Sequence, residues 1–560
     1  MKILNRLAIF VLAAVAFGFY RFVFQNAVNT PYFDDYAYLE YIIKLSDAPN
    51  LWEFLNELER KHNGHGVITA KLVVWLDWLL TGQVNFRTLI LVGSTLVLML
   101  VGYFWKILQA NGLSFFYLLP VGLFLFTPAY HENIFWAAAL WQYIASFVMG
   151  ILTYYLLAKN TKTAFWGAIA AGFLLTYTNG NGLFGMYIGA VIPLLQQRYR
   201  SLLIWLLACV ATTFIYYYRY PFGFGSLGQE KNAYHSLLTL LSFFGAAASY
   251  FRQRLPEVAI LGGLISGLLM VLGSLLSNDL MTIWRKIPLK KHSLLAQFTK
   301  NPYNLSLVAL LAWLLITGLG VAVARAGQTL ETPGRYMIYS VMSIVSLYIA
   351  LLIVLPKRWG NGVAAGTMGI GLLFWLGTYL FAGPEVINFK NSLLADAYSL
   401  QHHRRVSGKL ETMTNLNALR YFDEAVRRNI YVLPSLPFSS SLKNNLAATP
   451  TLSLPLTFDT DTLPAYGGIW IRKIKNTSLE PTSGDLFLVL QNETNTYLTA
   501  AHLTPHRNRR LFLQKQTYFG SGFEALIFAE NIPSGRYRLG LLDCQQNNCQ
   551  LSNLSQEIDL

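Results

Sequence analysis

Residues 7–41 read LAIFVLAAVAFGFYRFVFQNAVNTPYFDDYAYLEY, an apolar run followed by a short stretch with two adjacent carboxylates. The run over 7–24 is long enough to span a membrane, and it offers no small-residue cleavage site, so we interpret it as a retained membrane helix. Asp34 and Asp35 then stand at the membrane surface. Charged groups are costly in lipid, so acids beside a span mark a candidate functional site. The alternative is that they cap a helix beginning near Tyr36.

The composition places the chain among membrane proteins. Its 560 residues are 54% hydrophobic and 13% charged, and the mean hydropathy is +0.39. A soluble protein carries roughly 25% charged residues. The formal net charge is +15, but the Lys and Arg residues fall mostly in short loops between apolar runs. That placement indicates membrane topology and argues against a nucleic-acid partner.

The apolar runs predict about eleven membrane spans. They cover 7–24, 86–108, 114–128, 137–157, 163–178, 180–196, 200–217, 256–277, 303–325, 336–355 and 361–382. Basic residues in alternate loops, such as Lys106 and Lys159, predict a cytoplasmic N-terminus and an external acid pair. A further run over 235–251 would invert the later topology if it crossed the membrane, so we expect it to be re-entrant or interfacial.

The polar segments predict the remaining organisation. Helical spacing over 50–80 predicts amphipathic helices on the membrane surface within the first external loop. We expect a membrane domain over 1–383, a helical connector over 384–435 and an external β-rich domain over 436–560. In the last of these, stretches such as GGIWIRKI and GDLFLVLQNE alternate apolar and polar residues. That pattern predicts a small antiparallel, sandwich-like domain, which is all-β.

The three cysteines suggest two different environments. Cys209 lies within an apolar run, so we expect an inert core residue. Cys544 and Cys549 lie five apart in the polar tail, a spacing compatible with a small disulfide loop in an oxidising compartment. A metal-binding pair is less favoured, because no further Cys or close His completes a site.

The predicted external side gathers polar groups close to helix ends. Beside Asp34 and Asp35 these are His62, His65, His131, Glu132, Asn179, Asn181, Arg219 and Arg335. Such a set suits transfer of a group from an anionic lipid-linked donor to an acceptor hydroxyl. A carboxylate would act as general base or hold a divalent metal, and arginines would neutralise the phosphate that leaves. Asp34 is the first choice as base and Asp35 the second.

Several of these residues have plainer interpretations. His62 and His65, in RKHNGHG, could form a turn with exposed imidazoles. His131 and Glu132 could cap the helix that follows them, and Arg219 could be an interfacial anchor among tyrosines. Arg335 stands where a span begins on the outer face, so positive-inside bias does not explain it.

The whole pattern resembles the GT-C superfamily of polytopic membrane glycosyltransferases, which includes protein O-mannosyltransferases and the aminoarabinose transferase of lipid A. The features that carry the resemblance are a first span, the acid pair at Asp34 and Asp35, surface helices in the first loop, and a multi-span body. The resemblance implies a polyprenyl-phosphate sugar donor, transfer on the non-cytoplasmic face and Asp34 as catalytic base. In some members of the superfamily an acid in a later external loop assists, and Glu132 is the nearest candidate for it here.

The partners and location follow from the resemblance. The acceptor would be a glycan, lipid or protein of the cell envelope, such as lipopolysaccharide, and the enzyme would lie in a bacterial inner membrane with its C-terminal domain in the periplasm. Metal use varies in the superfamily, so no metal is assigned, and a divalent ion such as Mg²⁺ or Mn²⁺ stays open. The alternatives are an O-antigen polymerase or ligase, a lipid or polysaccharide transporter (flippase), and a structural anchor for the tail.

Overall fold

A computed structural model describes residues 2–62, 64–218, 232–249, 255–284, 297–325, 334–406, 416–439, 441–443, 446–463, 469–479, 485–505, 518–528, 531–545 and 548–560. The chain forms two compact units. The first, here called the helical unit, comprises Met1–Val23, Ala48–Val73 and Leu91–Tyr379. The second, the mixed unit, comprises Phe24–Asp47, Val74–Ile90 and Leu380–Leu560.

Long apolar helices dominate the chain. In the described ranges, eight helices are long and apolar enough to cross a membrane: Ile3–Asn26, Phe86–Ala110, Ala137–Ala158, Tyr199–Tyr218, Glu257–Ser274, Pro302–Ala324, Gly334–Val354 and Lys357–His403. Shorter apolar helices occupy Phe115–Tyr130, Gly182–Leu195 and Ala233–Ala248. By helix length and composition, the chain is a multi-pass membrane protein. The figure of about eleven spans stays a prediction.

Some of these segments are broken into consecutive helices. The individual α-helices are Lys2–Asn26, Asp35–Ser46, Leu51–Glu59, Ile68–Thr81, Phe86–Ser94, Leu96–Ala110, Leu119–Leu125, Glu132–Phe135, Ala137–Ala139, Ala145–Ala158, Lys162–Thr176, Gly182–Ile188, Val191–Leu195, Tyr199–Tyr218, Ala233–Gly245, Leu255–Trp284, Pro302–Ala324, Met337–Val354, Lys357–His403 and Leu416–Arg427. A π-helical turn, Leu140–Ile144, interrupts one of them. The helices expected over 50–80 are present; their position on a membrane surface stays a prediction.

Two glycines let neighbouring helices of the helical unit approach closely. A Cβ atom on Gly245 would lie 1.8 Å from the carbonyl oxygen of Val258, and one on Gly262 would lie 1.9 Å from that of Leu241. Helices Ala233–Gly245 and Leu255–Trp284 therefore pack backbone to backbone, which only glycine permits at these positions.

The helix Lys357–His403 is longer than the sequence pattern indicates. The predicted span ended at 382, ahead of a Gly-Pro pair, but Pro384 lies inside the continuous helix. Packing within the mixed unit stabilises the part beyond the proline. The Asn388 side chain bonds both backbone groups of Leu503, at 3.2 and 3.1 Å, and Tyr398 joins the core on one face of the β-sheet.

The described strands of the mixed unit form one antiparallel sheet. They are β1 Thr457–Leu463, β2 Ile469–Asn476, β3 Asp485–Gln491, β4 Thr496–Pro505, β5 Phe519–Phe528, β6 Arg536–Gln545 and β7 Asn548–Asp559. Their order is β1-β2-β5-β4-β3-β6-β7, and one face of β2 through β7 contributes to a single apolar core. The all-β prediction is confirmed, but the sandwich is wrong: this is one curled sheet, a half-barrel. Period-two alternation identifies strands and does not determine whether they divide between two sheets.

Both cysteine predictions are confirmed. Cys544 and Cys549 form a disulfide across the hairpin of β6 and β7. Cys209 is a buried thiol in the helical unit.

Candidate functional site

The two aspartates of the first loop differ in their environment within the mixed unit. Asp35 begins helix Asp35–Ser46 and is only 1% exposed. Its carboxylate accepts a hydrogen bond from the backbone N–H of Tyr32 at 3.1 Å, which closes the turn before the helix. Asp34 occupies the N-cap position, but its side chain makes no capping hydrogen bond, and it is partly exposed. Asp35 therefore has a structural role, and Asp34 is the more accessible carboxylate.

The residue before the pair is backbone-strained. Phe33 has a φ of +44°, a left-handed conformation that a bulky side chain adopts only when its surroundings impose it. The Tyr32 ring contacts the Phe33 ring edge-on at 4.3 Å and the Phe389 ring at 4.8 Å. These aromatic contacts and the Asp35 bond hold the turn in the form that sets the direction of Asp34.

A third carboxylate of the mixed unit, Asp396, acts on the same buried tyrosine as Asp35. Tyr36 is buried, and its hydroxyl has no hydrogen-bond partner among the described residues. Burial, and after it the charge of Asp396, raises the pKa of Tyr36 well above its usual value, and Asp35 acts in the same direction. Asp396 therefore lies within electrostatic reach of the same phenol as Asp35. Sequence reasoning missed Asp396, because nothing in its helical surroundings distinguishes it.

The histidine pair of the helical unit forms a tight turn. The backbones of His62 and His65 bond each other in both directions at 2.8 Å, and Gly64 has a φ of +80°. His65 is exposed, and its ring lies over Gly180, where a Cβ atom would come within 2.6 Å of Nδ1. The turn interpretation is therefore right for the backbone, and His65 also contacts the loop that carries the predicted asparagines.

That asparagine loop continues into an aromatic cluster. The Asn181 side chain donates to the hydroxyl of Tyr339 at 3.0 Å. The Tyr339 ring packs near those of Tyr143 and Tyr336, at 6.1 and 6.4 Å. Tyr336 directly follows Arg335, so a series of contacts leads from His65 to this arginine.

Arg335 also contacts residues 128–133, which read PAYHEN. The carboxylate of Glu132 accepts a hydrogen bond from the backbone N–H of Arg335. The amide nitrogen of Asn133 donates to the Arg335 carbonyl oxygen at 3.1 Å. Burial raises the pKa of Glu132, and the Arg335 guanidinium opposes that rise. A guanidinium and a carboxylate are thus brought together from positions 203 apart in the sequence.

His131 is electrically neutral in this setting. Burial lowers its pKa to about 4, against a smaller opposing effect of the Pro128 backbone. Its side chain makes no capping bond to helix Glu132–Phe135, so the capping interpretation does not apply to it. A neutral imidazole can donate or accept a hydrogen bond without adding charge.

The predicted site residues therefore divide between the units. His62, His65, His131, Glu132 and Arg335 belong to the helical unit, and Asp34 and Asp35 to the mixed unit. Arg219 lies outside the described residues. Among the residues that the structure describes, no group of three or more His, Cys, Asp or Glu side chains could hold a metal ion.

Comparison with known proteins identifies no relative. No family model, no curated protein and no solved structure matches the chain.

Proposed function

We propose that the chain is an integral-membrane glycosyltransferase that moves a sugar from a polyprenyl-phosphate donor to a cell-envelope acceptor on the periplasmic face. The acceptor oxygen bonds to the anomeric carbon as its proton passes to the Asp34 carboxylate. The bond between that carbon and the phosphate oxygen breaks, and the electron pair leaves with polyprenyl phosphate.

One observation carries the proposal: a partly exposed carboxylate that does not cap its helix follows the first apolar helix of a multi-pass chain. A carboxylate used only for capping would accept bonds from the first backbone N–H groups of the helix. Asp35 carries out the local structural task by bonding Tyr32. This division of labour favours Asp34 as the base.

Two further features support the proposal. The strained backbone of Phe33 is the kind of local conformation that clusters at functional sites. The disulfide of the half-barrel fits an oxidising compartment, as expected if the mixed unit lies in the periplasm.

The test is transfer of radiolabelled sugar from a panel of polyprenyl-phosphate sugars, in membranes that express the wild type or single variants. The variants are Asp34→Asn, Asp35→Asn and the control Asp47→Asn. Asp47 lies at the other end of the same helix in an exposed ion pair with Arg428, so its loss should be nearly neutral. Protein amounts are matched by immunoblot.

The proposal predicts that the wild type consumes one donor and that Asp34→Asn loses roughly a hundredfold or more, the scale of a general base. Asp47→Asn should keep full activity. Equal activity of wild type and Asp34→Asn would remove Asp34 from catalysis. Absence of transfer from every donor, with envelope acceptors supplied, would favour the transporter or ligase alternatives.

A further inference from the structure

Glu132 and Asn133 bond both backbone polar groups of Arg335, its N–H and its carbonyl oxygen. The Glu132 carboxylate accepts from the Arg335 N–H, and the Asn133 amide donates to the Arg335 carbonyl oxygen at 3.1 Å. Asn133 is fully buried and lies in a helical turn, so its position is fixed by packing. Two adjacent residues thus determine where the arginine backbone lies and which way its side chain leaves it.

Gly334 makes this contact possible. A Cβ atom on Gly334 would lie 2.4 Å from Oε1 of Glu132 and 2.7 Å from its carboxyl carbon. No carbon atom approaches an oxygen so closely without displacement, so any side chain at this position would push the Glu132 carboxylate away from the Arg335 N–H. The absence of a side chain at Gly334 therefore leaves the space in which the Glu132 carboxylate reaches the backbone of Arg335.

The Arg335 side chain lies over an aromatic ring. The Arg335 guanidinium lies 5.8 Å from the centre of the Tyr336 ring. Tyr336 in turn packs near Phe243 and Tyr143, at 5.8 and 6.3 Å. Rings that pack on each other in this way restrict the rotation of Tyr336, and a cation over an aromatic face is stabilised there. The guanidinium thus lies close to the Tyr336 ring and within electrostatic reach of the Glu132 carboxylate.

We infer that Glu132, Asn133 and Gly334 are positioning residues, which orient the Arg335 guanidinium to bind the phosphate of a polyprenyl-phosphate ligand. This inference rests on the proposed function for the identity of the ligand. It assigns Glu132 a role different from that of an assisting acid, because its carboxylate is engaged by the backbone and charge of Arg335. The planar guanidinium suits phosphate, since it donates two parallel hydrogen bonds when its orientation is fixed.

The experiment measures binding of undecaprenyl phosphate to the purified full-length protein in detergent, with undecaprenol as the uncharged reference ligand. The variants are Arg335→Ala, Glu132→Ala, Gly334→Ala and the double variant of Glu132→Ala with Arg335→Ala. Gly320→Ala is the matched control, because a Cβ atom there meets nothing within 4 Å. Size-exclusion profiles and thermal unfolding establish that each variant is folded.

The inference predicts that Glu132→Ala and Gly334→Ala each raise the Kd for undecaprenyl phosphate roughly tenfold, the size of a lost charge-assisted hydrogen bond. Undecaprenol binding and Gly320→Ala should not change. The double variant should bind no more weakly than Arg335→Ala, because Glu132 acts through the arginine.

Three results would overturn the inference. The first is undecaprenyl phosphate binding that is unaffected by Arg335→Ala. The second is binding that is lost in Arg335→Ala but normal in both Glu132→Ala and Gly334→Ala. The third is additive losses in the double variant. The outcome is independent of sugar transfer. A protein that binds undecaprenyl phosphate as predicted but transfers no sugar would reject the proposed function alone.

Discussion

A buried lysine connects two helices of the first loop, and its removal gives a prediction of defined size. Lys71 is 0% exposed. Its ammonium donates to the carbonyl oxygens of Glu57, Leu58 and Arg60, at 2.8, 3.2 and 2.5 Å. These are the last carbonyls of helix Leu51–Glu59 and its cap, which have no partner within the helix itself. Lys71 therefore caps the C-terminal end of this helix with its side chain.

The substitution Lys71→Met keeps the length of the apolar stem and removes all three donors. A buried acceptor without a partner costs about 1 to 3 kcal/mol, and the relief of no longer burying an ammonium offsets part of the sum. We expect a net loss of about 2 to 4 kcal/mol in the free energy of opening of the helix. Since each 1.4 kcal/mol is a factor of ten, hydrogen-exchange protection of its amides should fall about 30-fold to 1000-fold.

The assay is hydrogen exchange followed by mass spectrometry on peptides from Leu51–Glu59. Lys61→Met is the matched control, because Lys61 contacts the face of the Tyr216 ring at 4.0 Å and makes a weaker, partly exposed interaction. In Lys61→Met, the exchange rates of the Leu51–Glu59 amides should change by less than about fivefold. Unchanged protection in Lys71→Met would refute the claim that this lysine holds the helix end.

Three further predictions concern stability. The neutral state of the half-buried His131 stabilises the fold fully above its unfolded pKa of 6.5, and this stability is lost as the pH falls toward about 4. Thermal unfolding against pH should therefore show a loss of about 2 kcal/mol at acid pH that His131→Gln lacks. Gly262→Ala should destabilise the helical unit by about 1 to 3 kcal/mol, whereas Gly267→Ala, which has open space around its Cβ, should not, as measured by detergent thermal shift. Cys549→Ser should lower the stability of the half-barrel by about 2 kcal/mol in denaturant titrations, and a reducing agent should shift the wild type but not the variant.

Local sequence patterns predict the class of the fold well. Long apolar runs such as 302–324 and short ones such as 485–491, which polar residues bound, have one favourable solution each, a long helix and a strand, because burial of apolar groups dominates both. The spacing of Cys544 and Cys549 suits a hairpin, and the disulfide lies there. These features depend only on neighbours in the sequence.

Contacts between distant residues could not be predicted in the same way. Pro384 indicates a helix end, but Asn388 and Tyr398 pack against the sheet and keep the helix continuous. Lys71 has the appearance of a surface residue in a polar loop, yet it is buried and bonded to the end of a helix 11 to 14 residues earlier in the sequence. The choice between a sandwich and a half-barrel depends on strand order, which alternation does not encode.

The candidate site follows the same division. The sequence identifies Glu132 and Arg335 as polar groups near helix ends, and it cannot show that the carboxylate of one bonds the backbone of the other. It ranks Asp34 before Asp35 as the base but cannot show how the environments of the two carboxylates differ. Their difference arises from the turn at Tyr32, where only Asp35 reaches back to the backbone. Asp396 carries no local signal at all.

The most direct test of the central claim is the turnover rate of purified Asp34→Asn at saturating polyprenyl-phosphate sugar, relative to the wild type. Binding of undecaprenyl phosphate is measured on the same samples to establish that the protein is intact. We predict a rate lower by roughly a hundredfold or more with unchanged phosphate binding, because only the proton acceptor is lost. A rate within about threefold of the wild type would contradict the assignment of Asp34 as the catalytic base.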